Sequence, residues 1–278
     1  MPLRPISEAA RGGELAVKAG SLLEHLASFR SVLVAFSGGV DSSLLLAAAA
    51  EACPGKVLAV TVSSPVFPAR ELEDARRIAR LAGCPHRVLK ADVLANPLFS
   101  SNPGDRCYHC KKGIFERLLG IAAAEGLAGV VEGSNVDDLS DYRPGEKALR
   151  ELGIASPLRQ ADFTKADVRA LSEKIGLPES GRPAMACLAS RFPHGTEITA
   201  GALARIERLE DLLISLGFRQ VRARYHGDLV RFEVDPGLLG EAVTSAVRDR
   251  IVQAARREGF RFVTLDLHGY RMGSLNPR

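Results

Sequence analysis

No run of about 18 apolar residues, the least that crosses a membrane as a helix, occurs in this 278-residue chain. Residues 1–20 are polar, carry glutamates and lack the apolar core of a secretory signal. A cytoplasmic protein with no membrane partner is therefore expected. Cysteine is scarce as well: five residues, an odd number without the spacing of a disulfide framework, which suits a reducing compartment. A surplus of one charge is nearly absent, with 37 Lys and Arg against 33 Asp and Glu. That balance permits a phosphorylated ligand, and without a dense basic stripe a nucleic acid partner is not expected. There is no internal repeat or low-complexity segment, and 46% apolar with 25% charged residues is a globular composition. A chain of this length buries about 70–75% of its unfolded surface and sits where one domain commonly gives way to two.

The most informative absence is a lysine. Val32-Leu-Val-Ala-Phe36 is an apolar, strand-favouring run that leads into Ser37-Gly38-Gly39, and Asp41-Ser42-Ser43 then open an Ala/Leu-rich helix. Strand, glycine turn and helix N-terminus together make a phosphate site, because glycines let the backbone come close and unpaired amides point at the oxygens. The lysine that ends a Walker A loop is missing, and the pattern is not G-x-G-x-x-G either. Asp41 at the mouth would repel phosphates unless a divalent cation lay between them, which favours a nucleotide–Mg2+ site that releases pyrophosphate. A plain strand-turn-helix with an Asp/Ser cap is the alternative, although two consecutive glycines exceed what capping needs.

Ser37-Gly-Gly-Val-Asp-Ser42 resembles the loop of the ATP-pyrophosphatase superfamily, the PP-loop enzymes. That resemblance implies cleavage of ATP between its α and β phosphates and transfer of AMP to a substrate oxygen. It leaves the substrate open.

Along the chain, periodicity predicts a helix over 15–29, the strand and loop above, a helix over 42–51, a strand over 57–62, a helix over 71–82 and a strand over 86–90. This alternation is that of a parallel, doubly wound α/β sheet, whose ligands collect at the carboxyl ends of strands. Cys53 and Cys84, both before prolines at helix ends, read as partly buried thiols. Cys107 and Cys110 form a Cys-x-x-Cys just before a helix expected over 112–125. A redox dithiol, half of a metal site and a structural pair all remain open there. A strand ends at Val131, and Glu132-Gly-Ser-Asn-Val-Asp-Asp138 follows it as either a ligand-facing loop, with Asp137 and Asp138 able to bind a ribose or a cation, or an Asx-rich turn. Residues 142–152 read as a surface excursion, and Thr164 caps a helix that runs to 175.

Residues 181–196 have little period yet concentrate Cys187, Ser190, Arg191 and His194. Beyond them come a helix over 199–217, two strands over 219–225 and 229–234 with a hairpin at His226-Gly-Asp228, a helix over 238–257 and a strand over 260–265. Domains over 1–190 and 191–278 follow, the second a small α+β unit. Arg222 and Arg224 share a strand face, which suits a phosphate monoester held with Glu233 nearby, or else a solvated face paired to Glu233 and Asp235.

Taken together, Ser37-Gly-Gly-Val-Asp-Ser-Ser43, Arg106-Cys-Tyr-His-Cys-Lys111, Glu132 to Asp138, Pro183-Ala-Met-Ala-Cys-Leu-Ala-Ser-Arg191 and the stretch 259–276 resemble the LarE family over nearly the full length. The resemblance implies a sheet of the adenine nucleotide alpha hydrolase (HUP) type and an ATP- and Mg2+-dependent sulfur transferase of nickel-pincer nucleotide synthesis. Such an enzyme adenylylates pyridinium-3,5-biscarboxylic acid mononucleotide and makes its thiocarboxylates, alongside the other enzymes of that pathway; a homo-oligomer is left open. The glycine loop and the loop after Val131 are expected to hold ATP through Ser37, Gly38, Gly39, Asp41, Ser42, Ser43, Gly133 and Asp137. By the same resemblance Cys187, Asp41 and Arg191 serve the chemistry, and Arg222, Arg224 and Glu233 bind the substrate. Cys187 matches the position of a sacrificial sulfur donor. Cys107, Cys110 and Cys187 together look like the branch that holds a [4Fe-4S] cluster, in which three thiolates leave one iron open. A tRNA thiolase is the alternative of another substrate class.

Overall fold

The computed structural model describes residues 3–140, 144–178 and 186–271. It divides into two units. The first comprises Met1–Ser64, Ala69–Ala91 and Asp105–Ala184, and the second Pro65–Pro68, Asp92–Gly104 and Met185–Arg278.

In the first unit, α1 (Gly13–Phe29) leads to β1 (Val32–Ala35), α2 (Val40–Ala52), β2 (Val57–Ser63), α3 (Ala69–Leu81) and β3 (His86–Lys90). Then come α4 (Arg106–Ala124), β4 (Gly129–Val131), α5 (Gly145–Glu151) and α6 (Lys165–Ile175). The sheet is parallel in the order β3-β2-β1-β4, with Val32 opposite both Val57 and Gly129. β1 is apolar without alternation because it is flanked on both edges and covered on both faces. Helix α2 buries Ser42 to Leu46, Ala48 and Ala49, and it packs with Leu22 and Leu26 of α1 and Val168 and Leu171 of α6 in one core. The chain leaves β1 toward β2 on one side and returns as β4 on the other. This reversal opens a crevice beyond the carboxyl ends of β1 and β4. The expected parallel α/β sheet is thus present.

Helix boundaries depart from the sequence reading at three places. Helix α4 begins at Arg106, six residues before the expected start, so Cys107 and Cys110 lie inside its first turns. Its inward face, Ile114, Phe115, Leu118 and Ala122, is continued by buried Arg106, a charged residue that an apolar count passes over. Residues 145–151 are helical and bury Gly145, Ala148 and Leu149, so they are no surface excursion; Tyr142 and Arg143 lie outside the described residues. The long helix expected over 238–257 is broken. A short turn Leu239–Ala242 stops before the β-branched pair Val243 and Thr244, and α8 below restarts with Thr244 as its non-helical N-cap.

The second unit holds α7 (Ala200–Ser215), β5 (Val221–His226), β6 (Leu229–Val234), α8 (Ser245–Arg257) and β7 (Phe262–Leu265). Its sheet runs β5-β6-β7, antiparallel at the predicted hairpin and parallel between β6 and β7. Leu203, Ile206, Leu209 and Leu213 of α7 are buried, as are Ala223, Val230 and Phe232 of the sheet. Phe192 stacks on Tyr225 at 4.9 Å between ring centroids. The small α+β unit expected at the carboxyl end is this one, with two earlier segments added to it. Residues 181–185 and 272–276 of the quoted motifs lie outside the described residues.

Candidate active site

The glycine loop joins β1 to α2. Ser42 Oγ donates to Gly39 O at 3.1 Å and accepts from Ser37 N at 3.3 Å, and Gly39 N donates to Ser37 Oγ at 3.3 Å. Gly38 has φ +80°, and a Cβ there would lie 3.0 Å from the backbone nitrogen of Ala75 in α3. A Cβ on Gly133, in the loop after β4, would lie 2.9 Å from Ser42 N. Glycine at both positions lets three backbone segments close on the N-terminus of α2. Gly39 caps that helix with no side chain, so it gives the first-turn amides no capping bond. Ser43 Oγ is buried with no hydrogen-bond partner among the described residues. Uncapped amides and an orphaned hydroxyl at a helix start fit a bound phosphate.

Asp41 opens onto this loop, and its carboxylate is already engaged. It accepts from Asn135 Nδ2 at 2.9 Å and forms an ion pair with Lys165 Nζ. Lys165 is the first residue of α6, behind the capping box of Thr164 and Asp167, and its amide donates to Asp137 Oδ2 at 2.8 Å. Asp137 therefore holds the start of α6, while Glu132 gathers Ser134 and Ser156 beneath the loop. Burial pushes the Asp167 carboxyl up, but hydrogen bonds from Thr164 and Lys18 outweigh it and leave the group below its ordinary range. Sequence reasoning missed Lys165, although a signal existed. A cation at the first position of a helix sits against the positive end of the dipole, so it needs a compensating anion.

None of the five cysteines is in a disulfide. Cys53 donates to Leu26 O at 3.3 Å, and burial pushes the Cys84 thiol up to about 11, so both are the bland thiols expected. Cys107 is exposed and Cys110 half-buried, one turn apart on α4 in the first unit. Helix α5 lies against this turn, since a Cβ on Gly145 would come 3.2 Å from Cys107 O. Tyr108 Oη donates to Glu151 at 2.7 Å and ties the two helices together. His109 pairs with Asp105 at 3.2 Å.

Cys187 belongs to the second unit, half-buried at the head of a 3-10 turn, Leu188–Arg191. Arg191 is wholly buried; its Nη1 donates to Ala186 O at 2.6 Å and Cys187 O at 3.1 Å, and its Nε and Nη2 both meet Glu210 at 2.8 Å. Among the described residues, no three His, Cys, Asp or Glu side chains gather as a metal-binding group.

Arg222, Arg224 and Glu233 do come together in this unit. Register places Arg222 opposite Glu233 and Arg224 opposite Arg231, so all four share one face of the sheet. Glu233 accepts from Arg224 at 2.7 Å and from Arg231 at 3.2 Å, and Arg222 lies over the Tyr270 ring at 4.8 Å. The face is buried, not solvated: Arg222 and Arg224 are 4% exposed and Glu233 0%. Burial, with help from the Arg191 charge, holds the Arg222 guanidinium down to about 10, against the pull of Glu210 and Tyr270.

Comparison with known proteins places this geometry. The asparagine synthase family model matches residues 19–98, which include the glycine loop. The pyridinium-3,5-bisthiocarboxylic acid mononucleotide synthase of Lactiplantibacillus plantarum is 39% identical over 263 residues, 94% of this chain and 95% of its own. This chain belongs to the LarE family. LarE proteins are PP-loop enzymes, so ATP- and Mg2+-dependent adenylating and sulfur-transfer chemistry comes with membership. An uncharacterized protein of Synechocystis is 41% identical over 92% of this chain and 97% of its own length. A tRNA-specific 2-thiouridylase of Parvibaculum lavamentivorans is 27% identical over 55% of this chain. Among the described residues, no helix of this LarE protein is long and apolar enough to cross a membrane.

Proposed function

We propose that this protein adenylylates the carboxylates of pyridinium-3,5-biscarboxylic acid mononucleotide and replaces the activated oxygen with sulfur, giving the thiocarboxylates of a nickel-pincer nucleotide. The observation that carries the reading lies within the second unit. Arg224 donates to Ser190 O at 3.0 Å, so the turn that bears Cys187 is bonded to the arginine face. That face carries three guanidiniums against the Glu233 carboxylate and Asp266, which pairs with Arg231 at 3.7 Å, a positive surplus suited to a phosphate monoester. The L. plantarum relative bears the name of this activity.

In this reading the amides of the glycine loop, with Ser37, Ser42 and Ser43, hold the ATP phosphates. Asp41 would hold Mg2+, whose charge offsets the leaving pyrophosphate, and Lys165 supplies the cation that a Walker loop takes from its own lysine. A substrate carboxylate oxygen attacks the α phosphorus, pyrophosphate leaves, and sulfur then displaces AMP from the acyl carbon.

Cys107, Cys110 and Cys187 would hold a [4Fe-4S] cluster. Three thiols are the donor set such a cluster needs when one iron stays open, and that iron would carry the sulfur for transfer. Zinc asks for a fourth ligand. His109, whose Nε2 faces Asp105, or His194 would be that ligand.

The test is turnover without oxygen. After reconstitution with iron and sulfide, the protein should carry about four irons per chain and lose them when any of the three cysteines becomes Ala. With ATP, Mg2+ and the mononucleotide it should release AMP repeatedly at unchanged polypeptide mass. Formation of ADP alone rejects the adenylylation, and loss of hydrogen sulfide from Cys187 after one transfer replaces the cluster with a sacrificial cysteine.

A further inference from the structure

Arg191 and Glu210 form an ion pair with both side chains 0% exposed. Burying two charges is expensive, and an apolar pair of similar volume commonly serves stability as well, so the pair needs another reason to be there. Its contacts supply one. The Glu210 carboxylate takes Nε and Nη2 of Arg191 in a two-point clasp and also accepts from the Ala223 amide of β5 at 3.0 Å. The remaining guanidinium nitrogen of Arg191 reaches back to two consecutive carbonyls, Ala186 O and Cys187 O, and to Ser190 Oγ at 3.0 Å. On its other side the turn is held by Leu188 N donating to Val66 O at 2.8 Å and by Ser190 N donating to Cys187 O at 3.0 Å. The backbone on both sides of the Cys187 sulfur is therefore fixed, and one carboxylate on α7 ties it to the strand that carries Arg222 and Arg224.

We infer that Glu210 is a positioning residue for sulfur delivery, acting through Arg191 to hold the Cys187 turn at a set place relative to the arginine face of β5. The inference rests on the proposed function for what Cys187 delivers, and on the geometry alone for how it is held. The planar guanidinium is essential to the device. It spans a carboxylate on one edge and carbonyls on the other, which the point charge of a lysine does not. Burial pushes the Glu210 carboxyl up, but Arg191, the Ala223 amide and Arg222 outweigh it, so the group stays charged and the clasp stays closed near neutral pH.

The experiment uses the full chain, freed of iron, as the Glu210→Gln, Arg191→Lys and Arg191→Met/Glu210→Met variants. The double change removes both charges, leaves no unpaired ion and is expected to keep the fold. The first readout is the alkylation rate of Cys187 divided by that of Cys84 in the same molecule, by peptide mass spectrometry. A loosening of the whole chain raises both rates together, and thermal unfolding detects one confined to the second unit. Loss of positioning shifts the ratio, by about fivefold or more where misplacement near 1 Å is worth orders of magnitude in rate. An unchanged ratio in the folded double variant overturns the inference. The second readout, on the same chains after reconstitution with iron and sulfide, is thiocarboxylate formation, where kcat should fall by about 100-fold while the mononucleotide KM moves by less than about threefold. A rise in KM at constant kcat makes the pair a binding element and also overturns it. In the unsubstituted chain the amides of Leu188 and Ser190 should exchange with deuterium as slowly as that of Ala223, and fast exchange there rejects the clasp whatever the variants do. If the unsubstituted protein makes no thiocarboxylate but the thiol ratio shifts, the proposed function has failed and the positioning stands.

Discussion

Lys165 brings to the glycine loop, at the residue scale, a cation that the loop's own sequence lacks. In the structure it neutralises Asp41, and a nucleotide with its cation brings a matched pair of charges for the two to meet. Replacing Lys165 with Ala should raise the ATP KM by about tenfold or more, since a charged hydrogen bond is worth about 1.5–3 kcal/mol. Steady-state kinetics with saturating mononucleotide checks it; an unchanged KM removes Lys165 from the phosphate site. Glu210 gives a second residue-scale prediction. Its folded pKa lies below the ordinary 4.5, so its contribution to stability is complete above about pH 4.5 and is lost as pH falls through the folded value. Urea unfolding of the parent chain and Glu210→Gln should differ by a constant amount from pH 7 to about 4.5, and the gap should shrink below that.

The elements meet through glycines, and that contact predicts which substitutions hurt. A Cβ at Gly133 strikes backbone atoms of Ser42 at 2.9 and 3.1 Å, which cannot rotate away as a side chain does. Gly133→Ala should displace the start of α2 and lower AMP formation by up to about 100-fold, the cost of a misplacement near 1 Å. Gly20→Ala is the contrast. It lies within α1, where an added Cβ meets nothing within 4 Å, and it should raise the melting temperature through helix propensity worth up to about 1 kcal/mol. Thermal unfolding beside an AMP assay separates the two outcomes.

Element legibility followed how local each signal was. Helix α6 was readable to the residue because the Thr164 and Asp167 capping box is a short-range device. The start of α4 was not, because its inward face runs through Arg106, buried by tertiary contacts that no periodicity contains.

For the whole molecule, charge bears on the choice between substrate classes. Thiolation of tRNA is the activity named for one partial relative, and that similarity reaches only 55% of this chain. With 37 basic against 33 acidic residues, there is no surplus to neutralise many phosphates at once, and strong salt-resistant RNA binding needs that. Titration with tRNA at about 150 mM salt should show no stoichiometric complex; one that forms transfers the sulfur acceptor from a mononucleotide to RNA.

The sequence by itself determined the parallel α/β layout and the glycine loop, because strand runs, turn glycines and helix caps act over a few residues. It also determined family membership, through motifs spread along the whole chain. Tertiary structure alone decided the partners of two charged groups, Asp41 with Lys165 and Arg191 with Glu210, and it chose between the readings that the hairpin left open for Arg224, which pairs with Glu233. The first of these pairs is separated by 124 residues, and a Coulomb attraction acts across space irrespective of chain distance, so only the packed fold chooses which opposite charge each ion meets.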